Sequence, residues 1–319
     1  MSDYLNKVAL IGAGYMGEEY CKVLKALKED FFVVCRSESS ADKFEGKTGI
    51  RPITGGFERV FSNFENVPQK VIVAVEVELL AATIIKLVDF GVKEILVEKP
   101  AGINRRELQN VVDYIKNKDV LVYVAYNRRF YTSTEKVFDI INQDGGVDSF
   151  NFEFTEWSNT IEKTNHSSKV KEEWLLANSS HVIDLAFFIG GYPIEMASFS
   201  SGSLTWHKRA SKYSGAGITD KGATFSYQAN WKSPGRWSIE VLTKNHRLYL
   251  KPMEKLKIQK KDSVVVEDYI LDDSIDNEFK PGVYKQTEAF LHNSNDWRLL
   301  SIGEQLDHMD YYEKIEGLR

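Results

Sequence analysis

Residues 7–124 alternate short β-branched runs with longer helical patterns. The runs are KVALIG, FFVVCR, KVIVAV, EILVEKP and VLVYVAYN, and segments such as 15–29, 78–90 and 104–117 lie between them. This rhythm predicts a parallel, doubly wound α/β sheet. VIVAV and EILV are apolar at consecutive positions, as strands buried on both faces are, so helices are expected on both sides.

From about Asn127 the period changes. A helical stretch near 132–143 leads through Asp144, Gly145 and Gly146 into the alternating run FNFEFTEW, one face apolar and one polar. Further strands are predicted at 196–206, 222–231, 236–243, 246–251, 255–260 and 263–269. A helical insertion falls near 170–190 and a last helix near 302–316. The reading is a Rossmann domain over 1–125 and a C-terminal α+β domain with an open, mostly antiparallel sheet over 126–319, its final helix free to pack back on the first domain. A chain of 319 residues has room for two such cores. Phe225, Tyr227, Trp231 and Trp237 supply more apolar area than one buried sheet face needs, so a homo-oligomer, dimer or tetramer, is expected.

Composition narrows the classes. A formal charge of -5, with both signs interspersed, provides no basic face for a nucleic-acid backbone. The start MSDYLNKVALIGAG has no basic region followed by an apolar core, and no segment approaches ~18 apolar residues, so neither export nor a membrane is expected. Cys21 and Cys35 form no CxxC or Cys/His cluster, which argues against a structural metal and fits a reducing cytoplasm.

The first strand runs into Gly12-Ala13-Gly14-Tyr15-Met16-Gly17 and then a helix, the setting in which GxGxxG binds a dinucleotide. Gly12 allows the tight turn, Gly14 clears the pyrophosphate's approach to the backbone, and Gly17 lets helix and strand pack closely. The second strand ends Cys35-Arg36-Ser37 with no carboxylate for a ribose 2′-hydroxyl. A guanidinium and a hydroxyl there favour the 2′-phosphate of NADP over NAD.

EILVEKP ends in Glu98-Lys99-Pro100, at a sheet's carboxyl end, where open α/β sheets bind ligands. Pro100 restricts Lys99 and so helps to fix where its ammonium points. Arg128 and Arg129, leaving the last Rossmann strand, either clamp an anionic substrate group or form a structural salt bridge. His181 and Asp184, three apart, share a helix face, where the carboxylate can tune the imidazole for proton transfer; a satisfied core histidine is the other reading.

GAGYMG at 12–17, GVKEILVEKPAG at 91–102, YNRRF at 126–130 and HVIDL at 181–185 together resemble the Gfo/Idh/MocA family over essentially the whole chain. The resemblance implies hydride transfer between NAD(P) and a sugar, cyclitol or sugar-nucleotide-like molecule, with Lys99 the active-site lysine and His181 the acid/base histidine. It adds Val75 and Glu98 to the expected cofactor contacts and Asn178 and Asp184 to the substrate contacts. Two departures stand out: Ala177 replaces an Asp common four residues before the histidine, and Ala74-Val75-Glu76 replaces the usual Thr-Pro or Thr-Asn. Two other readings are a biliverdin-reductase-like enzyme acting on a conjugated or C=N bond, and a dinucleotide sensor without chemistry.

Overall fold

The computed structural model describes residues 4–319. It divides into two compact units, the chain through Asn127 with Asn277–Asp307, and Arg128–Asp276 with His308–Arg319.

The first unit is built on six strands: β1 Val8–Ile11, β2 Phe31–Val34, β3 Lys70–Val73, β4 Glu94–Glu98, β5 Leu121–Ala125 and β14 Leu300–Ser301, in the order β14-β5-β4-β3-β1-β2. The first five are parallel and β14 closes the edge antiparallel to β5. All four residues of β1 are buried, as are the last three of β3, which accounts for their unbroken apolar runs. The crossovers are helical: α1 Tyr15–Ala26, α2 Glu38–Thr48, α3 Phe57–Phe61, α4 Leu80–Asp89 and α5 Arg105–Ile115. Ser37 caps α2, its hydroxyl accepting from the Ser40 amide.

The second unit carries eight strands in the order β13-β12-β11-β10-β6-β9-β8-β7, antiparallel except where β6 meets β9. They are β6 Ser149–Glu153, β7 Pro193–Ser201, β8 Lys212–Thr219, β9 Thr224–Asn230, β10 Ser238–Leu242, β11 His246–Leu250, β12 Leu256–Lys260 and β13 Val266–Tyr269. The period-two alternation is realised as one buried face: Phe150 and Phe152 of β6 and Phe225 of β9 point inward against Phe187, and Tyr227 of β9 is buried against Phe152. Phe187 belongs to the helix Ser180–Gly190. Each such ring contributes ~1.5–3 kcal/mol on burial.

Two expectations change here. β8, KYSGAGIT, was not among the predicted strands. Phe225, Tyr227, Trp231 and Trp237 are all buried within the chain, so these aromatic rings give no reason to invoke a second copy.

Candidate active site

The glycine loop joins β1 to α1 in the first unit. A Cβ on Gly12, whose φ is +116°, would stand 2.2 Å from the Ala74 carbonyl oxygen and 3.3 Å from the Val75 nitrogen. A Cβ on Gly17 would meet the Gly12 carbonyl at 2.2 Å. These two glycines serve the fold itself, and Gly12 brings the Val75 backbone to the loop. Gly14 differs, because a Cβ there would meet nothing within 4 Å. It is also the N-cap of α1 and offers no side chain to the helix's first amides. Open space above the positive end of a twelve-residue helix is what a pyrophosphate requires, so the loop fits a dinucleotide. Ala13 and Met16 are half-buried on this turn and Tyr15 is exposed.

At the carboxyl end of β4, Tyr20 donates its hydroxyl to Glu98 at 2.8 Å. Burial pushes the Glu98 carboxyl up from its ordinary range, while the Tyr20 hydrogen bond and the Lys99 and Lys280 ammonium groups pull it down. Lys99 is half-buried, and its turn is braced by Gln305, whose amide donates to the Pro100 carbonyl at 3.4 Å and the Tyr126 hydroxyl at 3.2 Å. Lys280 lies 5.1 Å from the centre of the Tyr15 ring. Nothing local in the sequence signals Lys280, which reaches Glu98 from the far end of the chain.

Arg36 and Ser37 are exposed at the end of β2. The carboxylates following them are taken up by Arg51, which pairs with Glu38, Asp42 and Glu45 at 2.7, 2.8 and 2.7 Å. The Arg36 carbonyl accepts from the Gly55 amide, and the Arg59 side chain lies against Gly55, 3.3 Å from its would-be Cβ through Nη1. Arg59, three residues past this Gly pair, carries no motif signal.

In the second unit, a π turn at Leu175–Ser179 leads straight into the helix Ser180–Gly190, which opens with His181 half-buried. Asp184 is engaged by Arg129. Arg129 binds it through Nε at 2.9 Å and Nη2 at 2.6 Å, and both side chains are buried, 3% and 0% exposed. The Tyr192 hydroxyl accepts from the same guanidinium at 3.3 Å, and His308 stands 3.8 Å from Asp184. Burial, with Arg129 beside it, holds the His308 imidazole well below its ordinary pKa. Arg129 and Asp184, both named above as expected substrate contacts, form a buried ion pair between residues 55 apart.

Asn178 donates to Glu156 Oε1 at 2.9 Å, Ser179 to the same oxygen at 2.7 Å, and Arg236 to Oε2 at 3.1 Å. Burial raises the Glu156 pKa against these three partners. Arg128, unlike Arg129, is half-buried and stays against rings, 4.9 Å from the centre of Trp237 and 5.9 Å from that of Tyr131. The His181 ring is 6.1 Å from Trp237, centre to centre. A groove of about 920 Å³ adjoins this cluster, lined by residues that include Glu156, Trp157, Lys208 and Lys232, and by none of the candidate site residues.

Among the described residues no helix is long and apolar enough to cross a membrane. The model of the Gfo/Idh/MocA family, described as an oxidoreductase family with an NAD-binding Rossmann fold, matches residues 6–126. No curated protein matches the chain. An oxidoreductase from Agrobacterium radiobacter in complex with NAD+, L-tartaric acid and magnesium is 16% identical at a TM-score of 0.80, over 99% of this chain and 98% of that one. Levoglucosan dehydrogenase in complex with NADH gives 16% and 0.78 over 97% and 95%. UDP-N-acetylglucosamine 3-dehydrogenase from Acidithiobacillus ferrooxidans gives 11% and 0.73 over 98% and 97%. At such identities the likeness speaks for the fold alone. The glycine cradle and the parallel sheet around it agree with that match: residues 6–126 form a Rossmann domain that fits the Gfo/Idh/MocA oxidoreductase family model.

Proposed function

We propose that the protein is an NADP-preferring oxidoreductase that interconverts a carbonyl and a secondary alcohol on a sugar-, cyclitol- or sugar-nucleotide-like substrate. The observation that carries the reading is the open Gly14 position at the N-terminus of α1. A bound nicotinamide dinucleotide supplies the hydride donor or acceptor. Residues 12–17 with Val75 hold its diphosphate end, and Glu98 and Lys99 border it at the end of β4. Lys99 Nζ and an imidazole nitrogen of His181 are the proton-handling groups. The Tyr20 hydrogen bond keeps Glu98 in place, so the ammonium beside it stays oriented.

NADP is favoured over NAD because Arg51 takes up the α2 carboxylates, leaving Arg36 and Arg59 to meet a 2′-phosphate beside Ser37. Sugar-like substrates are favoured by the sugar named for levoglucosan dehydrogenase. Ala177, which puts a methyl where a carboxylate is usual, keeps reduction of a conjugated or C=N bond as the second reading. Association of copies through the wet face of the second sheet is supported by Ile194 and Phe199 of β7, 71% and 69% exposed. Calorimetric titration tests the cofactor assignment: NADPH should bind at least ~10-fold tighter than NADH, about 1.4 kcal/mol. Equal affinities would overturn it. An absorbance screen of sugars, sugar nucleotides and keto acids with NADPH then separates the carbonyl reading from the C=N one.

A further inference from the structure

We infer that Arg128, Arg236 and the indole N–H of Trp237 form a subsite for a carboxylate carried by the substrate, an inference that rests on the oxidoreductase reading above. The two guanidiniums lie 4.9 and 4.2 Å from the centre of the Trp237 ring. Like charges drawn to one ring repel each other, and an anion between them removes that repulsion.

Charge accounting supports this placement. Arg236 has a carboxylate partner, Glu156 at 3.1 Å, but that carboxylate already receives Asn178 and Ser179 and is 1% exposed. Arg128 has no carboxylate among the described residues. Its Nε is buried without a hydrogen-bond partner, and so is the Nε1 of Trp237, a residue only 5% exposed. Two buried donors left unsatisfied in the same cluster are costly unless a ligand accepts from them.

The donor types select the anion. The Nε edge of an arginine presents two parallel N–H groups, which match the two oxygens of a planar carboxylate. Trp237 is also the ring beside His181. A carboxylate held there belongs to a substrate whose reacting carbon lies within a few bonds of it, as in a sugar acid or hydroxy acid. Arg236 also rests on Trp157, at 4.7 Å, and Trp157 lines the adjoining groove, which leaves room for the rest of such a molecule.

The test uses the full chain, with and without NADPH, titrated with D-glucuronate, L-tartrate, D-glucose and D-glucose 6-phosphate. Binding is read by tryptophan fluorescence and calorimetry, neither of which needs turnover. Glucuronate should bind at least ~10-fold tighter than glucose, and Arg128→Gln should abolish that difference while its melting temperature and NADPH affinity hold. Arg128→Lys, which keeps the charge and loses the paired donors, should recover only part of it. Equal affinity for glucose and glucuronate, tighter binding of the phosphate ester, no binding of either carboxylate at roughly tens of millimolar, or an unchanged Arg128→Gln variant would each overturn the subsite. If carboxylates bind as expected while no NADPH-linked turnover is found with any compound, the subsite stands and the oxidoreductase reading falls.

Discussion

Gly14→Ala separates what the glycine loop does for the fold from what it does for the cofactor. Gly14 has φ −92° and ψ −171°, ordinary extended backbone, and an added methyl would touch nothing within 4 Å. Alanine there should therefore change stability by no more than ~1 kcal/mol, the scale of an N-cap exchange. The methyl instead occupies the space through which a diphosphate oxygen must come within ~2.9 Å of the backbone amides. Losing even one charge-assisted hydrogen bond of ~1.5–3 kcal/mol weakens binding by about 10- to 150-fold. Gly17→Ala should behave in the opposite sense. Its Cβ would press on the Gly12 carbonyl at 2.2 Å, backbone against backbone, so α1 must shift at a cost of ~1–3 kcal/mol in folding. The assay pairs scanning calorimetry with titration of NADPH for each variant. Undiminished NADPH affinity in a well-folded Gly14→Ala protein would refute the assignment of this loop to the diphosphate, because no other role for that open space follows from the structure.

Other expectations follow from named contacts. Asp184→Asn leaves the Arg129 guanidinium buried without its counter-charge and should destabilise by ~3–5 kcal/mol, whereas Arg129→Met with Asp184→Leu together should cost much less; urea unfolding of all three decides, and a loss below ~1 kcal/mol for Asp184→Asn sinks the structural assignment. Glu316 sits beside Arg209, His207, Glu173 and Glu313, and burial pushes its pKa up to about 7 from 4.5. The folded state then binds a proton that the unfolded chain releases, so this contribution is full below pH 4.5 and disappears as the pH rises through about 7. Glu316→Gln should gain on the wild type by up to about 3 kcal/mol between those limits, measured as the difference in unfolding free energy at pH 4.5 and 8, and a pH-independent difference contradicts it. Lys99→Met and His181→Ala should each lower turnover by ~10²–10⁴-fold with unfolding temperatures close to the wild type; near-normal turnover in either removes that residue from the chemistry.

The first unit was legible because its signals are local. Apolar runs of four or five residues became β1 to β5, and GAGYMG fell where β1 turns into α1, its last three residues opening the helix. β8 was not legible, and the reason is steric. Its SGAGIT reads as loop composition, yet a Cβ on Gly215 would strike the Tyr227 ring at 2.4 Å and one on Gly217 the Glu195 carbonyl of β7 at 2.1 Å and the Phe225 ring at 2.8 Å. Glycine is there to admit the neighbouring strands, the aromatic rings of β9 and the backbone of β7, which no single-strand pattern reveals. The Arg129–Asp184 pair was hidden for a different reason. Spacing along a helix put Asp184 on the His181 face, but a partner 55 residues away decides what that carboxylate does. Arg236 and Trp237 share this character: each is an ordinary residue in sequence, and only the fold brings both beside Arg128.

The π turn at Leu175–Ser179 works as a phase shifter. One residue more than an α-helix needs is wound into that segment, so every side chain after it is rotated by ~100° about the axis relative to an uninterrupted helix. His181 and the buried Asp184 inherit the same rotation, because both follow the turn on one continuous helix. Deleting a single residue between 175 and 179 would leave composition, hydrophobicity and helix length almost untouched. It would swing the imidazole off its bearing by a quarter of a circle and tear the carboxylate from its arginine together, so the angular setting of the histidine and the integrity of the core are tied to the same extra residue.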